Sequence, residues 1–201
     1  MIKLGLHPPA DSFLVDRGMV EAQKLYQLNC ELCFSCGHLQ NQVVVPNNER
    51  YEDVDSSYTS SNSNISMGHW DEFYETVSLK VGLNEQDPVV EFGSNDGYLT
   101  NLFNNKYNAI GIEPSPYLVN LSSKKGLEII KGYLGADTID RAVKINGKYK
   151  LIYGNNVFNH ISELNQSTAA IRSSLRNDGH FVFESPYCVD LIEKYYFDTI
   201  Y

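Results

Sequence analysis

The sequence predicts an α/β protein with a mostly parallel sheet, preceded by a small region built around closely spaced cysteines. From residue 88 onward, short apolar runs alternate strictly with stretches of helical periodicity, which is typical of parallel strands joined by helices on both faces of a sheet. The apolar runs have the composition of strands that are buried on both faces. Before this region, Cys30, Cys33 and Cys36 stand at intervals of three residues, a spacing that favours a metal site over a disulfide framework.

Three parts of the chain can be predicted from these patterns. Residues 1–50 form the cysteine-containing region, residues 51–87 a polar loop and a linking helix, and residues 88–201 the alternating region. Residues 51–66 are rich in Ser, Asn and Tyr, and composition alone predicts a solvated linker there. Apolar residues recur at helical spacing over 69–82, and Gly82 is the expected end of that helix.

Five strands and four helices are predicted in the alternating region. The strands are the segments PVVEFG, NAIGIEP, LEIIKG, KLIYGNN and HFVFESP. The helices are GYLTNLFNN, SPYLVNLSSKKG, GADTIDRAVKI and SELNQSTAAIRSSLRNDG. Ser115 and Ser162 are the expected N-caps of the second and fourth of these helices, and Gly126 and Gly179 are their expected stops.

Composition and charge argue against several classes of protein. The chain has 201 residues, of which 42% are hydrophobic, so it can bury a core and general disorder is not expected. The net charge of −9 divides into 5 basic and 13 acidic side chains (−8) over 1–87, and 11 basic and 12 acidic (−1) over 88–201. Neither part is basic, which argues against nucleic-acid binding. No apolar run approaches the roughly 20 residues of a membrane helix, and no secretory signal is visible. We therefore expect no membrane association and a cytoplasmic location.

The most informative motif is the turn after the first strand of the alternating region, VVEFGSNDG over residues 89–97. Gly93 and Gly97 let the backbone turn tightly and approach a ligand. Glu113 comes twenty residues after Gly93, at the end of the second strand, where an acid accepts hydrogen bonds from the two ribose hydroxyls of a nucleoside. The spacing therefore predicts a nucleoside-containing cofactor.

The same turn favours S-adenosylmethionine (SAM) over a dinucleotide. Dinucleotide sites need a second glycine so that the pyrophosphate can lie against the backbone, whereas here one glycine is followed by Ser-Asn-Asp. SAM has no pyrophosphate, and acidic and polar side chains suit its aminoacyl group. An NAD-binding module and a turn without any ligand are the alternatives. The predicted cofactor contacts are Glu91, Gly93, Ser94, Asn95, Asp96, Gly97 and Glu113.

Eight segments along nearly the whole chain carry a resemblance to a known family. They are LGLHPPADSFL, CFSCGHLQ, YTSSNS with His69, VVEFGSNDGYLT, GIEPSPYL, NNVFNHI, GHFVFESPY and FDTIY. In this order they resemble the SAM-dependent sugar C-methyltransferases of deoxysugar biosynthesis, of the tetronitrose and mycarose C-3 type. The resemblance implies a Rossmann-like SAM domain, incomplete here, after a zinc-knuckle-like region. It also implies methylation of a nucleotide-linked 4-keto deoxyhexose at the carbon next to the ketone.

The chemistry of such a methylation selects candidate catalytic residues. A carbon next to a ketone becomes nucleophilic when a base removes its proton and donors stabilise the enolate oxygen. The segment NNVFNHI follows the fourth strand, at the edge where open α/β sheets bind ligands. His160 is therefore a candidate acid, base or enolate donor, with a structural histidine as the alternative, and Asn155 and Asn156 are expected on the cofactor side. By the resemblance, the polar loop that contains Tyr58 is a lid or substrate loop, and Tyr58 and Tyr201 face the sugar.

The resemblance further implies that the sequence is truncated at both ends. In the family, FDTIY leads into a His-Glu-His motif that carries the proposed base, then into further strands and a second domain, and an earlier cysteine pair precedes the LGLHP segment. A SAM-binding fragment without turnover and a SAM-dependent O- or N-methyltransferase are therefore the alternative functions. A nucleotide sugar is the expected partner, and the oligomeric state is left open.

The segment Cys33-x-x-Cys36-Gly has the spacing of half a zinc knuckle, because two such thiolates can chelate one tetrahedral zinc ion. Cys30 is the candidate third ligand, and His7 or His38 the candidate fourth. Structural zinc is thus a candidate second cofactor. Reduced, buried cysteines of a degenerate site are the alternative.

Overall fold

The structure is a computed structural model that describes all residues except 1, 11–13, 15, 53–58, 197–199 and 201. It divides into two units, one of residues 1–57 with 186–201 and one of residues 58–185. The helix predicted over 69–82 falls within the second unit.

The regular elements of the described chain are as follows. The strands are β1 (Ile2–His7), β2 (Tyr26–Leu32), β3 (Leu39–Asn41), β4 (Pro88–Phe92), β5 (Asn108–Glu113), β6 (Ile129–Lys131), β7 (Tyr149–Asn155) and β8 (Leu175–Glu184). The helices are α1 (Asn64–Val81), α2 (Tyr98–Asn104), α3 (Pro116–Ser123), α4 (Ala136–Asn146), α5 (Leu164–Ser174) and α6 (Cys188–Glu193). Short 3-10 helices cover Arg17–Ala22 and Phe158–His160, and a π-helical turn covers Asn48–Glu52. Within the described ranges, no helix combines the length and apolar character needed to cross a membrane.

Over the residues that the structure describes, each unit contains one sheet. In the first unit, β1, β2 and β3 form an antiparallel sheet in that order. In the second unit, five strands form a parallel sheet in the order β6-β5-β4-β7-β8. The alternating apolar runs thus form the parallel sheet that the sequence predicts, with every predicted strand present.

Side chains from both faces of the parallel sheet enter separate cores. On β4, Val89 packs in one cluster with Leu151 and Phe103, whereas its neighbour Val90 packs in the other with Ile152. This division follows from the strand period of two, which sends successive side chains to opposite faces. Residues of α1 and α2 belong to the first cluster and residues of α4 and α5 to the second, so helices cover both faces.

Two predicted helix ends are confirmed and one helix start is earlier than predicted. Gly82 ends α1 in the left-handed conformation, with φ of 65°. Ser115 caps α3, since its side chain accepts a hydrogen bond from the N–H of Leu118 at 3.4 Å. Helix α1 begins at Asn64 rather than near residue 69, because the Ser63 side chain caps it by accepting from the N–H of Ser66 at 3.1 Å.

The predicted ends of the fourth helix, Ser162 and Gly179, are wrong. Helix α5 has Glu163 at its N-cap and ends at Ser174, and β8 follows directly. Gly179 lies within β8 near a register shift against β7, where a Cβ atom would stand only 2.7 Å from the carbonyl oxygen of Tyr149. Gly179 therefore allows two strands to approach closely and does not end a helix.

Candidate functional site

The ends of four strands bring the predicted functional segments to one edge of the sheet. Because β4, β5, β7 and β8 are parallel, their carboxyl ends at Phe92, Glu113, Asn155 and Glu184 lie on the same side. Open α/β sheets bind ligands at this edge. The turn after β4, the acid ending β5 and the asparagines after β7 are therefore placed where a cofactor site is expected.

The turn after β4 needs glycine at both of its predicted glycine positions. Gly93 and Gly97 have φ of +68° and +77°, which side chains other than glycine rarely adopt. A Cβ atom at Gly93 would overlap the side chain of Val157, and one at Gly97 the side chain of Leu127. The N–H of Gly93 also donates to the carbonyl of Ile112 at 2.8 Å, which holds the turn against β5.

We expect Gly93→Ala to lower the free energy of unfolding by about 2–3 kcal/mol, from the left-handed backbone and from overpacking against Val157. Gly126→Ala is the matched control, because Gly126 has φ of +81° but open space around its Cβ position. The control therefore measures the backbone cost alone, about 1 kcal/mol. Equal losses in chemical denaturation of the two variants would show that Val157 gives way freely.

Glu113 organises the turn from the neighbouring strand. Its carboxylate accepts the N–H of Asn95 at 2.9 Å and the N–H of Ser115 at 3.0 Å, and the residue is 5% exposed. Burial raises the pKa of this carboxyl, whereas the two backbone N–H groups act in the opposite direction. Glu113 thus joins the turn after β4 to the start of α3. Its contact with a ribose stays a prediction.

Glu91 lies within the core rather than in the turn. The hydroxyl groups of Thr100 and Tyr153 both donate to one of its carboxylate oxygens, the second at 3.1 Å. Burial raises the pKa of Glu91 from its usual 4.5 to about 8. In this structure the Glu91 side chain therefore bonds to residues of α2 and β7. Its contact with a cofactor stays a prediction.

Two side chains near the turn present buried polar atoms without a partner. Among the described residues, neither amide atom of Asn155 forms a hydrogen bond, and the Ser94 hydroxyl also has no partner. Unpaired buried polar atoms are costly, so such atoms at a ligand-binding edge are suited to accept or donate bonds to a bound polar molecule. The set fits SAM, which carries amino, carboxylate, hydroxyl and adenine groups. Asn156 is exposed, and its backbone N–H donates to the carbonyl of Glu184 at 2.8 Å.

The segment before α1 is hydrogen-bonded to the turn after β4. The backbone N–H of Ser60 donates to the Asn95 side chain at 2.9 Å, and the Ser61 hydroxyl donates to the Asp96 carboxylate. The indole N–H of Trp70 in α1 donates to the carbonyl of Ser60 at 3.2 Å. The serine-rich segment, which composition alone describes as a solvated linker, is therefore part of the site.

A lysine also contacts the turn. Lys125 lies 2.6 Å from the carbonyl oxygen of Asp96 and 3.3 Å from its carboxylate, and Asp96 is 1% exposed. Sequence reasoning missed Ser60, Ser61 and Lys125. The YTSSNS motif is the only signal that points to the serines, and nothing in the sequence singles out the lysine.

The predicted catalytic residues differ in how far the structure describes them. His160 is half-buried at the end of the short helix Phe158–His160, just beyond β7. Its Nε2 lies 3.2 Å from the amide nitrogen of Asn159. Tyr58 and Tyr201 lie outside the described residues, so their roles stay predictions.

The structure does not support the predicted three-cysteine ligand set. Cys30 is buried in β2 and its thiol donates to the Asn41 side chain at 3.0 Å, while Cys33 and Cys36 are exposed on the following turn. No group of three or more His, Cys, Asp or Glu side chains among the described residues is arranged to hold a metal ion. Cys30 does not join Cys33 and Cys36 because it lies in β2 and its thiol bonds to Asn41 of β3. Within the turn, hydrogen bonds from the backbone of Cys36 and Ser35 lower the pKa of the Cys33 thiol.

Comparison with known proteins agrees with this arrangement. A family described as "Methyltransferase domain" matches residues 67–199, more than half of the chain. The chain is also similar to the C-methyltransferase NovU of Streptomyces niveus, with 26% identity over 202 residues, which covers 100% of this chain and 48% of that protein. The chain thus spans about half the length of this curated relative.

Among solved structures, an S-adenosylmethionine-dependent methyltransferase from Clostridium acetobutylicum ATCC 824 is similar to this chain. The TM-score is 0.53 with 20% sequence identity, and the match covers 71% of this chain and 55% of that one. At this identity the likeness concerns the fold. With its five-stranded parallel sheet and its glycine turn at the ligand edge, the chain belongs to the methyltransferase-domain family and has the Rossmann-like fold of SAM-dependent methyltransferases.

Proposed function

We propose that this chain binds SAM and takes part in C-methylation of a nucleotide-linked 4-keto deoxyhexose. The observation that carries the SAM assignment is the pair of partnerless polar groups, the Asn155 amide and the Ser94 hydroxyl, beside the turn after β4. The C-methylation assignment is supported by the eight-segment resemblance and by the similarity to a C-methyltransferase.

We assign one set of residues to SAM binding and another to the acceptor substrate. Bound SAM supplies an electrophilic methyl group on a positively charged sulfur. Glu113, Gly93 and Gly97 keep the turn after β4 in its observed conformation. Asn155, at the end of β7, offers both a hydrogen-bond donor and an acceptor to SAM. His160 follows β7 at the same edge and is the proposed donor to the oxygen of the developing enolate.

The tautomer of His160 supports the donor role. The amide nitrogen of Asn159 can only donate, so the Nε2 atom of His160, 3.2 Å away, accepts from it. A neutral imidazole that accepts at Nε2 carries its proton on Nδ1. An imidazole N–H of this kind is a suitable donor for an enolate oxygen.

We expect Asn155→Ala to weaken SAM binding by about tenfold or more, since one net hydrogen bond is worth roughly 1 kcal/mol and Asn155 offers two. Isothermal titration with SAM measures the affinity. Asn105→Ala is the control, because Asn105 is an exposed asparagine at the end of α2. Equal affinities of wild type and Asn155→Ala would remove Asn155 from the SAM site.

The reaction itself is tested by incubating the folded chain with carbon-13 methyl-labelled SAM and a nucleoside-diphosphate 4-keto deoxyhexose. The proposal expects a product with a carbon-bound methyl group that survives mild acid and base. An oxygen- or nitrogen-bound methyl would instead support the alternative acceptor chemistry. SAM binding without any product would support the non-catalytic alternative, and absence of SAM binding would overturn the proposal.

A further inference from the structure

The middle of the turn after β4 is occupied by Asn95, in a conformation that glycine usually adopts. Asn95 has φ of +52°, in the left-handed region that asparagine enters more readily than most other side chains. It stands two residues after Gly93, at the position where a dinucleotide-binding turn carries its second glycine. The turn therefore holds a side chain at a backbone position that in such turns has none.

The backbone of Asn95 is held without help from its side chain. Its N–H donates to the Glu113 carboxylate at 2.9 Å, and its carbonyl oxygen lies 2.9 Å from the hydroxyl of Ser122 in α3. A glycine at this position would keep both contacts and adopt the same φ without strain. The local structure of the turn thus does not account for the asparagine side chain.

The side chain instead links the turn to a distant segment. Its Oδ1 atom accepts the N–H of Asp96 at 2.8 Å and the N–H of Ser60 at 2.9 Å. Because both partners are donors, the accepting atom is the amide oxygen. Ser60 belongs to the serine segment, residues 59–63 before α1, and lies 35 residues earlier in the chain than Asn95. A glycine in place of Asn95 could not form this link.

Helix α1, which follows the serine segment, is held to the parallel sheet without Asn95. The Nε2 atom of His69 in α1 lies 2.9 Å from a carboxylate oxygen of Glu184, the last residue of β8. Trp70 is buried in the core cluster on the α1 side of the sheet, and its indole N–H donates to the carbonyl of Ser60 at 3.2 Å. Removing the Asn95 side chain should therefore release the N–H of Ser60 and leave α1 in place.

We propose that Asn95 is a positioning residue that couples the serine segment to SAM binding. The inference rests on the proposed binding of SAM at the turn after β4. SAM that stabilises the turn also stabilises the Asn95 amide oxygen in the place where it accepts from Ser60, and the serine segment is thereby held more firmly. Coupling between two sites is reciprocal, so the held segment increases the affinity for SAM by the same factor.

The test compares hydrogen exchange at the Ser60 amide with SAM affinity. In wild type, saturating SAM should slow exchange of the Ser60 amide by about fivefold, the value of roughly one hydrogen bond. In Asn95→Gly, this amide should exchange about fivefold faster than in wild type without SAM, and SAM should no longer slow it. Isothermal titration should show that Asn95→Gly binds SAM about fivefold more weakly, as reciprocity requires.

Gln86→Gly is the matched control. Gln86 also has a positive φ, of +67°, and is exposed before β4, at the opposite end of that strand from the turn. This variant should match wild type in both measurements. Wild-type exchange at Ser60 in Asn95→Gly would overturn the inference, as would an unchanged affinity for SAM. A loss of affinity of about fiftyfold or more would make the side chain a direct cofactor contact and overturn its positioning role.

The wild-type response to SAM tests the coupling even if Asn95→Gly does not fold. A wild type that binds SAM without slower exchange at the Ser60 amide would overturn this inference and leave the proposed SAM binding intact. A folded wild type that does not bind SAM would overturn the proposed function and the coupling together.

Discussion

Replacing Glu91 with glutamine is expected to prevent much of the loss of stability that the wild-type protein undergoes between about pH 5 and about pH 9. The reason is that burial raises the pKa of Glu91 from its usual 4.5 to about 8. The folded state therefore favours the protonated form. Stability from this group is fully present below the unfolded pKa of about 4.5, decreases as pH rises, and is lost above about pH 8.

The size of the effect is set by the distance between the two pKa values. A difference of about 3.5 units corresponds to about 5 kcal/mol at most, at roughly 1.4 kcal/mol per unit. The Thr100 and Tyr153 hydroxyls donate to the carboxyl group, and a glutamine side-chain oxygen accepts the same bonds. Glu91→Gln should therefore be more stable than wild type at about pH 9 and show little pH dependence of its own at this site.

Chemical denaturation at a series of pH values provides the measurement. Glu85→Gln is the control, since Glu85 is exposed in the turn before β4 and its removal deletes a charge without changing the core. We expect the control to follow the wild-type curve. Parallel wild-type and Glu91→Gln curves over this range would mean that Glu91 is not appreciably neutral in the folded state.

The five strands and their parallel sheet follow from periodicity, because short apolar runs that alternate with helical stretches are typical of parallel strands joined by helices. The orientation of Glu91 also follows from periodicity, although the motif suggested another role. Glu91 stands two residues after Val89, and the strand period of two places both on the face of α2. The acid in the motif thus belongs with Thr100 and Tyr153, and a motif match alone does not show which way a strand residue points.

The contacts that tie the site together could not be read from the sequence, because they join distant segments. Ser60 meets Asn95 across 35 residues, and His69 meets Glu184 across 115. No local pattern encodes either distance. Gly179 is a second case in which a distant segment decides the structure. A glycine after a helical pattern typically ends the helix, but here the close approach of the Tyr149 carbonyl in β7 explains the glycine in β8.

Replacing Glu113 with glutamine is expected to destabilise the protein by about 3–5 kcal/mol, because charged hydrogen bonds to buried groups are worth about 1.5–3 kcal/mol each. The carboxylate accepts one backbone N–H on each oxygen, from Asn95 and from Ser115. A glutamine offers one oxygen and one NH2 group. Whichever way the amide is turned, its NH2 group faces a backbone N–H, so one contact becomes a meeting of two donors.

The same substitution should weaken SAM binding by about a hundredfold, equivalent to about 2.7 kcal/mol, because the freed turn loses its conformation next to Asn155. Glu128→Gln is the control, since Glu128 is exposed just before β6. Thermal unfolding and isothermal titration of the two variants separate stability from affinity. If Glu113→Gln were destabilised but bound SAM as tightly as wild type, Glu113 would be a brace for the turn and would not contact the cofactor. Loss of both properties is the expected result and would show that SAM binding depends on the turn that Glu113 holds through the N–H groups of Asn95 and Ser115.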